Sequence, residues 1–179
     1  MFIIGISGKA ESGKSTFASI LKKELEKRDK KVLLINYGDF VKFVAKQYYN
    51  WNGNKDESGR ALLQKVGTQQ GRNGVGENIW VDMVINTVQV ARNYYDVAIV
   101  ADCRFPNELN RWEEKGERIV KIRIERPNHE NKLTQIQREH PSETSLDTYN
   151  KWDYTIINVY DFAMLSQRAT EIINSLLKE

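Results

Sequence analysis

An apolar run, Phe2-Ile3-Ile4-Gly5-Ile6, leads directly into Ser7-Gly8-Lys9-Ala10-Glu11-Ser12-Gly13-Lys14-Ser15-Thr16. Gly8 to Ser15 match the pattern G-x-x-x-x-G-K-[ST], with a buried strand before it and a helix-compatible segment, Thr16 to Leu25, after it. Two glycines let the backbone curl with its N–H groups inward. Those groups and the positive helix N-terminus attract phosphate oxygens. The pattern therefore expects Gly8, Lys9, Ala10, Glu11, Ser12, Gly13, Lys14, Ser15 and Thr16 around the phosphates of a nucleoside triphosphate. Lys14 is expected to reach the β- and γ-phosphates, and the Ser15 hydroxyl to ligate Mg²⁺. An ordinary glycine-rich turn is the alternative, and the two correct flanks weigh against it.

Apolar β-rich runs alternate with helical patterns along the rest of the chain. Strands are expected at Ile3 to Ser7, Val32 to Tyr37, Asp96 to Asp102, Ile119 to Ile124 and Tyr154 to Ile157. Helices are expected from Lys14 to about Arg28, from about Asp39 to Tyr48, at Arg60 to Gln70, Asn78 to Tyr94, Asn107 to Lys115 and Asp161 to Leu177. Asn50 to Gly59 reads as a polar loop, and residues 126–151 as a long polar segment. Such alternation implies an α/β fold, with a mainly parallel sheet covered by helices on both faces. Ligands in such folds bind at the carboxyl ends of the strands, so the residues just after each strand are the candidates.

After the second strand comes Asp39, either a helix N-cap or a carboxylate that holds metal-bound water or accepts a hydroxyl proton. Lys42 lies one helical turn on. After the third strand comes Asp102, placed to ligate Mg²⁺ directly or through water, although any buried strand can end in Asp. Arg104 follows, a planar fork suited to phosphate or a partner for Glu108. Arg72 lies in a glycine-rich stretch, which fits either an induced-fit phosphate grip or a surface loop. Trp80 is either a base-stacking or a core tryptophan. The segment 126–151 carries Arg126, Arg138, His140-Pro141-Ser142-Glu143 and Asp147, and its length suits a lid. His129 and His140 have no partners at metal-ligand spacing, which excludes a zinc site.

Composition narrows the class. The 179 residues suffice for one domain with a full core, and no apolar stretch approaches the roughly 20 residues of a membrane span. The short apolar run at the start has no basic region before it, unlike a signal peptide. A lone cysteine, Cys103, forms no intrachain disulfide and fits a reducing cytoplasm. Twenty-seven basic residues nearly balance twenty-four acidic ones, so charge gives no reason to expect a nucleic-acid partner.

The Lys14 loop, Tyr37-Gly38-Asp39-Phe40-Val41-Lys42, Leu62-Leu63-Gln64 with Gly67-Thr68 and Arg72, Asp102-Cys103-Arg104-Phe105-Pro106-Asn107-Glu108 and His140-Pro141-Ser142-Glu143 together resemble the phage-type deoxynucleoside monophosphate kinases. Dephospho-CoA kinases are more distantly similar. The resemblance implies a P-loop fold with a five-stranded parallel sheet in the order 2-3-1-4-5, and ATP and Mg²⁺ as cofactors. It implies a core of residues 1–48, 96–125 and 152–179, an acceptor-binding helical region at about 49–95 and a lid at about 126–151. It implies Lys14, Asp39, Arg104 and Arg138 at the reacting phosphoryl. Arg138 and Asn158 would lie at ATP, with Asn158 beside adenine. Asp39, Lys42, Gln64, Arg72, Trp80, Arg104 and Glu108 would lie at the acceptor monophosphate, and Ser15 and Asp102 at the metal. The expected substrate is a nucleoside or deoxynucleoside monophosphate, with no nucleic-acid or membrane partner, a homodimer left open, and a cytoplasmic location, the host's if phage-encoded. The alternatives are a kinase of another small acceptor, such as dephospho-CoA, and a GTPase-type switch. Against the switch, Glu57 stands where the base-reading motif needs Asp. A nucleic-acid-binding ATPase is disfavoured by the weak net charge.

Overall fold

The computed structural model of the chain describes residues 1–127, 129 and 131–178. Positions 128 and 130, within the expected lid, and position 179 lie outside the described residues. Strands β1 (Phe2–Ser7), β2 (Val32–Ile35), β3 (Val97–Cys103), β4 (Ile119–Glu125) and β5 (Tyr154–Ile157) form one sheet, in the order β2-β3-β1-β4-β5, with every pairing parallel. β1 therefore sits centrally, where its apolar run is covered on both faces. On one face α1 (Lys14–Glu26) packs with α8 (Phe162–Leu176) around Phe17, Leu21, Leu25, Leu165 and Ile173. On the other, α4 (Ile79–Ala91) and α5 (Pro106–Glu114) bury Val84, Ile85, Val88, Leu109 and Trp112.

A smaller core, built from Ala45, Trp51, Val66 and Trp80, joins α2 (Tyr37–Tyr48) and α3 (Glu57–Gln64) to α4. The sequence pattern expects one ordinary helix over Arg60 to Gln70. Instead α3 starts at Glu57, capped by Asp56, whose carboxylate accepts the Gly59 N–H at 2.7 Å, and from Lys65 to Arg72 the chain winds as a π-helix. Glycine accounts for part of this. A Cβ on Gly71 would stand 2.5 Å from Trp80 Nε1, so only glycine lets the wide turn close against that ring. α2 also begins two residues earlier than the pattern suggests. Tyr37 is its first residue rather than the end of β2, because Asp102 at the end of β3 supplies the acceptor for its first N–H groups. The polar segment after β4 holds two short helices, α6 (Gln135–Glu139) and α7 (Pro141–Thr144). No described helix is long and apolar enough to cross a membrane.

Candidate active site

The loop after β1 is built as the sequence requires. Gly13 has φ of +102°, and a Cβ there would lie 2.3 Å from Asn158 Nδ2, so no other residue fits. Asn158 is buried beneath the loop and donates from Nδ2 to the Ser12 carbonyl at 2.8 Å. Lys14 is buried, and its Nζ donates to the carbonyls of Gly8 (2.8 Å) and Lys9 (2.6 Å). Burial, reinforced by the neighbouring Arg104 cation, lowers its pKa to about 7. The described residues leave two buried side-chain polar atoms without a partner, Ser12 Oγ and Arg126 Nε. Both lie at this loop or on the cavity beside it. Buried polar groups normally find partners, so orphans here mark a place shaped for a polar ligand.

That cavity, about 390 Å³, is lined by Gly13, Lys14, Ser15, Thr16, Arg126, Asn158, Tyr160 and Phe162. Arg126 stacks 3.4 Å above the Tyr160 ring and donates to the Glu11 carbonyl at 2.7 Å. Ser15 is exposed, and its hydroxyl is free of protein hydrogen bonds among the described residues.

A second cavity, about 200 Å³, opens at the carboxyl ends of β2 and β3, the end of a parallel sheet at which ligands bind. Lys42, Gln64, Thr68, Arg72, Trp80, Asp102, Arg104, Phe105, Glu108 and His140 line it. Arg72 lies flat on Phe105 at 3.8 Å, pairs with Glu108, and donates to the Glu77 carbonyl at 3.0 Å and to Asn107 Oδ1 at 3.2 Å. Glu108 is fully enclosed. Burial raises its pKa to about 7, with Arg72 and the backbone N–H groups of Arg104 and Phe105 opposing the rise. Glu108 thus anchors both Arg72 and the turn that carries Arg104. Trp80 is buried and donates from Nε1 to the Gly67 carbonyl at 2.8 Å, which makes it the floor of this cavity as well as a core residue.

Three expected residues make other contacts in this structure. Asp39 is half-exposed and lines neither cavity. Its carboxylate accepts the N–H of the N-cap residue Asn36 at 3.0 Å and pairs with Lys42 at 2.8 Å, so it is the third-position partner in the capping box of α2. Asp102 accepts the N–H groups of Tyr37 and Gly38 with its two oxygens, each at 2.9 Å, and this leaves it a poor direct metal ligand, with a contact through water still open. Arg138 is exposed on α6 and lines neither cavity, while Arg126 lines the cavity beside the phosphate loop. The remaining expected residues come together: the loop from Gly8 to Thr16 with Asn158, and Lys42, Gln64, Arg72, Trp80, Arg104 and Glu108 around the second cavity.

Sequence reasoning gave no individual role to Arg123, Phe105 or Glu143. Arg123 is a charged residue near the carboxyl end of β4, but Lys121 and Glu125 stand in the same strand, so nothing local singles it out. Its Nη1 donates to the Leu146 carbonyl at 3.1 Å. Nothing local marks Phe105 as the platform under Arg72.

An all-parallel sheet in this order, with the phosphate loop following its central strand, is the architecture of the P-loop kinases. The structure of Mycobacterium tuberculosis APS kinase CysC in complex with AMPPNP and APS superposes with a TM-score of 0.57 at 13% identity, over 99% of this chain and 98% of that one. Shikimate kinase from Bacteroides thetaiotaomicron superposes with a TM-score of 0.51 at 13% identity, over 99% of each. At such identities the likeness is one of fold. No family model matches the chain. In sequence it is similar to the deoxynucleoside-5'-monophosphate kinase of Escherichia phage T5, 34% identical over 119 residues, which are 60% of this chain and 46% of that protein. The chain thus matches less than half the length of this relative. The similarity agrees with the resemblance read from the sequence motifs.

Proposed function

We propose that the protein transfers the γ-phosphoryl of ATP to a nucleoside or deoxynucleoside monophosphate. The observation that carries this reading is the juxtaposition of Lys14, on the phosphate loop, with Arg104, on the wall of a separate cavity built for a second anionic ligand. The two cations are close enough for Arg104 to depress the Lys14 pKa, and bound phosphate would relieve that repulsion. The similarity to the phage T5 enzyme favours a monophosphate acceptor over other small acceptors.

The loop N–H groups and Lys14 hold the triphosphate, with Arg126 and Tyr160 beside the base. Arg104 and Arg72 hold the acceptor phosphate, and Gln64 and Thr68 offer polar atoms to its base or sugar. An oxygen of the acceptor phosphate attacks the γ-phosphorus, that P–O bond forms, and the bond to the β-phosphate oxygen breaks to release ADP. Little covalent help is required, because alignment and cations around the equatorial oxygens supply most of the catalysis. Mg²⁺ would neutralise the β- and γ-oxygens, and the free Ser15 hydroxyl fits as its protein ligand, with Asp102 reached through water. The nucleotide substrates imply a cytoplasmic site of action. A coupled ADP-release assay across the common ribo- and deoxyribonucleoside monophosphates tests the reading. Acceptor-dependent ADP release is expected for at least one of them, and release with none overturns it.

A further inference from the structure

Glu143, on α7, is held against the phosphate loop by more contacts than any lid role requires. Its side chain is 10% exposed. Oε2 accepts the Ala10 N–H at 2.9 Å, and Oε1 lies 2.7 Å from Arg104 Nη1. Its own carbonyl accepts Lys9 Nζ at 2.5 Å, and the pairing of Lys9 with Asp147 ties down the next turn. Ala10 belongs to the loop whose N–H groups are its anion-binding equipment. Arg104 belongs to the acceptor cavity. A single carboxylate therefore bridges a donor of the loop and a cation of the second cavity.

The same residue also borders another space. A cavity of about 190 Å³ beside it is lined by Lys42, Lys55, Arg60, Gln64 and Ser142. Lys55 and Arg60 make no salt bridge among the described residues, and burial together with Lys42 and Arg60 lowers the Lys55 pKa. Lys42 pairs with Asp39, while Lys55 and Arg60 on the same wall face a cavity whose lining also includes the bridging carboxylate of Glu143.

We propose that Glu143 is a placeholder for the transferred phosphoryl. It occupies the Ala10 N–H and Arg104 in the empty protein, and an incoming nucleoside triphosphate displaces it toward Lys42, Lys55 and Arg60. This rests on the kinase reading above and adds an order to it. Arg104 is released for the acceptor only after the triphosphate has arrived, and α3 is drawn toward α7 in the same event. Glu143 is a positioning residue in this scheme, since it acts through Arg104. The energetic signature is competition: the carboxylate must leave before phosphate binds, and so it weakens apparent nucleotide affinity.

Equilibrium titration with a non-hydrolysable ATP analogue and with pyrophosphate tests this in the wild-type chain, in Glu143→Gln, in Glu143→Asp, in Lys55→Ala/Arg60→Ala and in the triple combination with Glu143→Gln. Removing the competing charge is expected to tighten both probes about tenfold. Glu143→Asp keeps the charge but shortens the reach, and it is expected to tighten them as well. A purely structural or orienting role predicts the opposite sign. Lys55→Ala/Arg60→Ala should weaken both probes in the wild-type background and have no effect once Glu143 is Gln, a coupling that a double-mutant cycle reads directly. Unchanged or weaker binding by Glu143→Gln and Glu143→Asp overturns the placeholder. An equal effect of the double alanine variant in both backgrounds overturns the basic cavity as its second seat. Failure of the wild-type chain to bind either probe would instead count against the kinase reading itself.

Discussion

Lys14 is held by the carbonyls of Gly8 and Lys9, six and five positions away in sequence, whereas Arg72 is held by Glu108, 36 positions away. The nucleotide side is a local device. Its donors are backbone groups of one continuous turn, and its special positions are glycines. The second cavity, the proposed acceptor side, is assembled from the end of β3, the start of α5, the π-helix and α2, and it stays together through a buried ion pair, a guanidinium stacked on a phenyl ring and a tryptophan closed against a glycine. A site of the first kind loses function when one residue changes and keeps its shape. A site of the second kind loses shape and function together. Four measurements test that difference.

Lys14→Ala should reduce phosphoryl transfer by about a thousandfold, the scale for removing a group that stabilises charge in the transition state. Its circular dichroism and melting cooperativity should remain those of a folded chain, because the change removes a buried cation and leaves the strand and helix in place. Turnover within tenfold of wild type would deny Lys14 a part in the chemistry.

Arg104→Ala and Arg72→Ala should each weaken the monophosphate by about ten- to a hundredfold, with ATP affected much less. They should differ in stability. Arg104 is partly exposed and its partner Glu143 keeps the Ala10 N–H, so its loss is the milder of the two for the fold. Arg72→Ala leaves Glu108 enclosed without its cation, and breaking such a pair costs about 3–5 kcal/mol, less whatever Glu108 recovers by taking up a proton. Equal melting temperatures for the two variants would show that the acceptor side is not held together by this pair.

Nucleotide affinity should fall by up to about tenfold per pH unit above pH 7. The sign follows from Lys14. Burial and Arg104 hold its pKa at about 7 in the ligand-free chain, and bound phosphate raises it, so binding above pH 7 takes up a proton. Below pH 7 Lys14 is already charged and this dependence flattens. Calorimetric titration in two buffers of different ionisation enthalpy reads the uptake, and none at pH 8 would remove Lys14 as its source.

Arg138→Ala should change kcat by less than about twofold, as an exposed charge off the cavities should. Arg126→Ala should weaken ATP by about tenfold or more. The reverse ranking would mean that α6 closes onto the nucleotide during the reaction.

Much of the fold was legible beforehand. The period-two and period-3.6 patterns located all five strands and six of the helices, and the α/β alternation implied the parallel sheet. The strand order came with the family resemblance. The π-helix over Lys65–Arg72 was not legible, because its apolar and polar residues suit an ordinary helix and the wide turn is imposed by the fit of Gly71 against Trp80. The capping part of Asp39 and the backbone contacts of Asp102 were not legible for a related reason. A carboxylate after a strand suits metal binding and helix capping equally well, and the choice depends on where the α2 N–H groups lie.

What this sequence determined by itself is the phosphate loop. Its chemistry resides in backbone N–H groups and in glycines without Cβ atoms, and eight consecutive residues are enough to specify both. Tertiary structure decided which charged side chains face the acceptor, which ones only cap or anchor, and that Glu143 lies across the two halves. Arginine, lysine and glutamate have long, rotatable side chains whose charge can serve a ligand, a helix end or each other. Only the elements packed around them, through burial and the nearest opposite charge, select one of these.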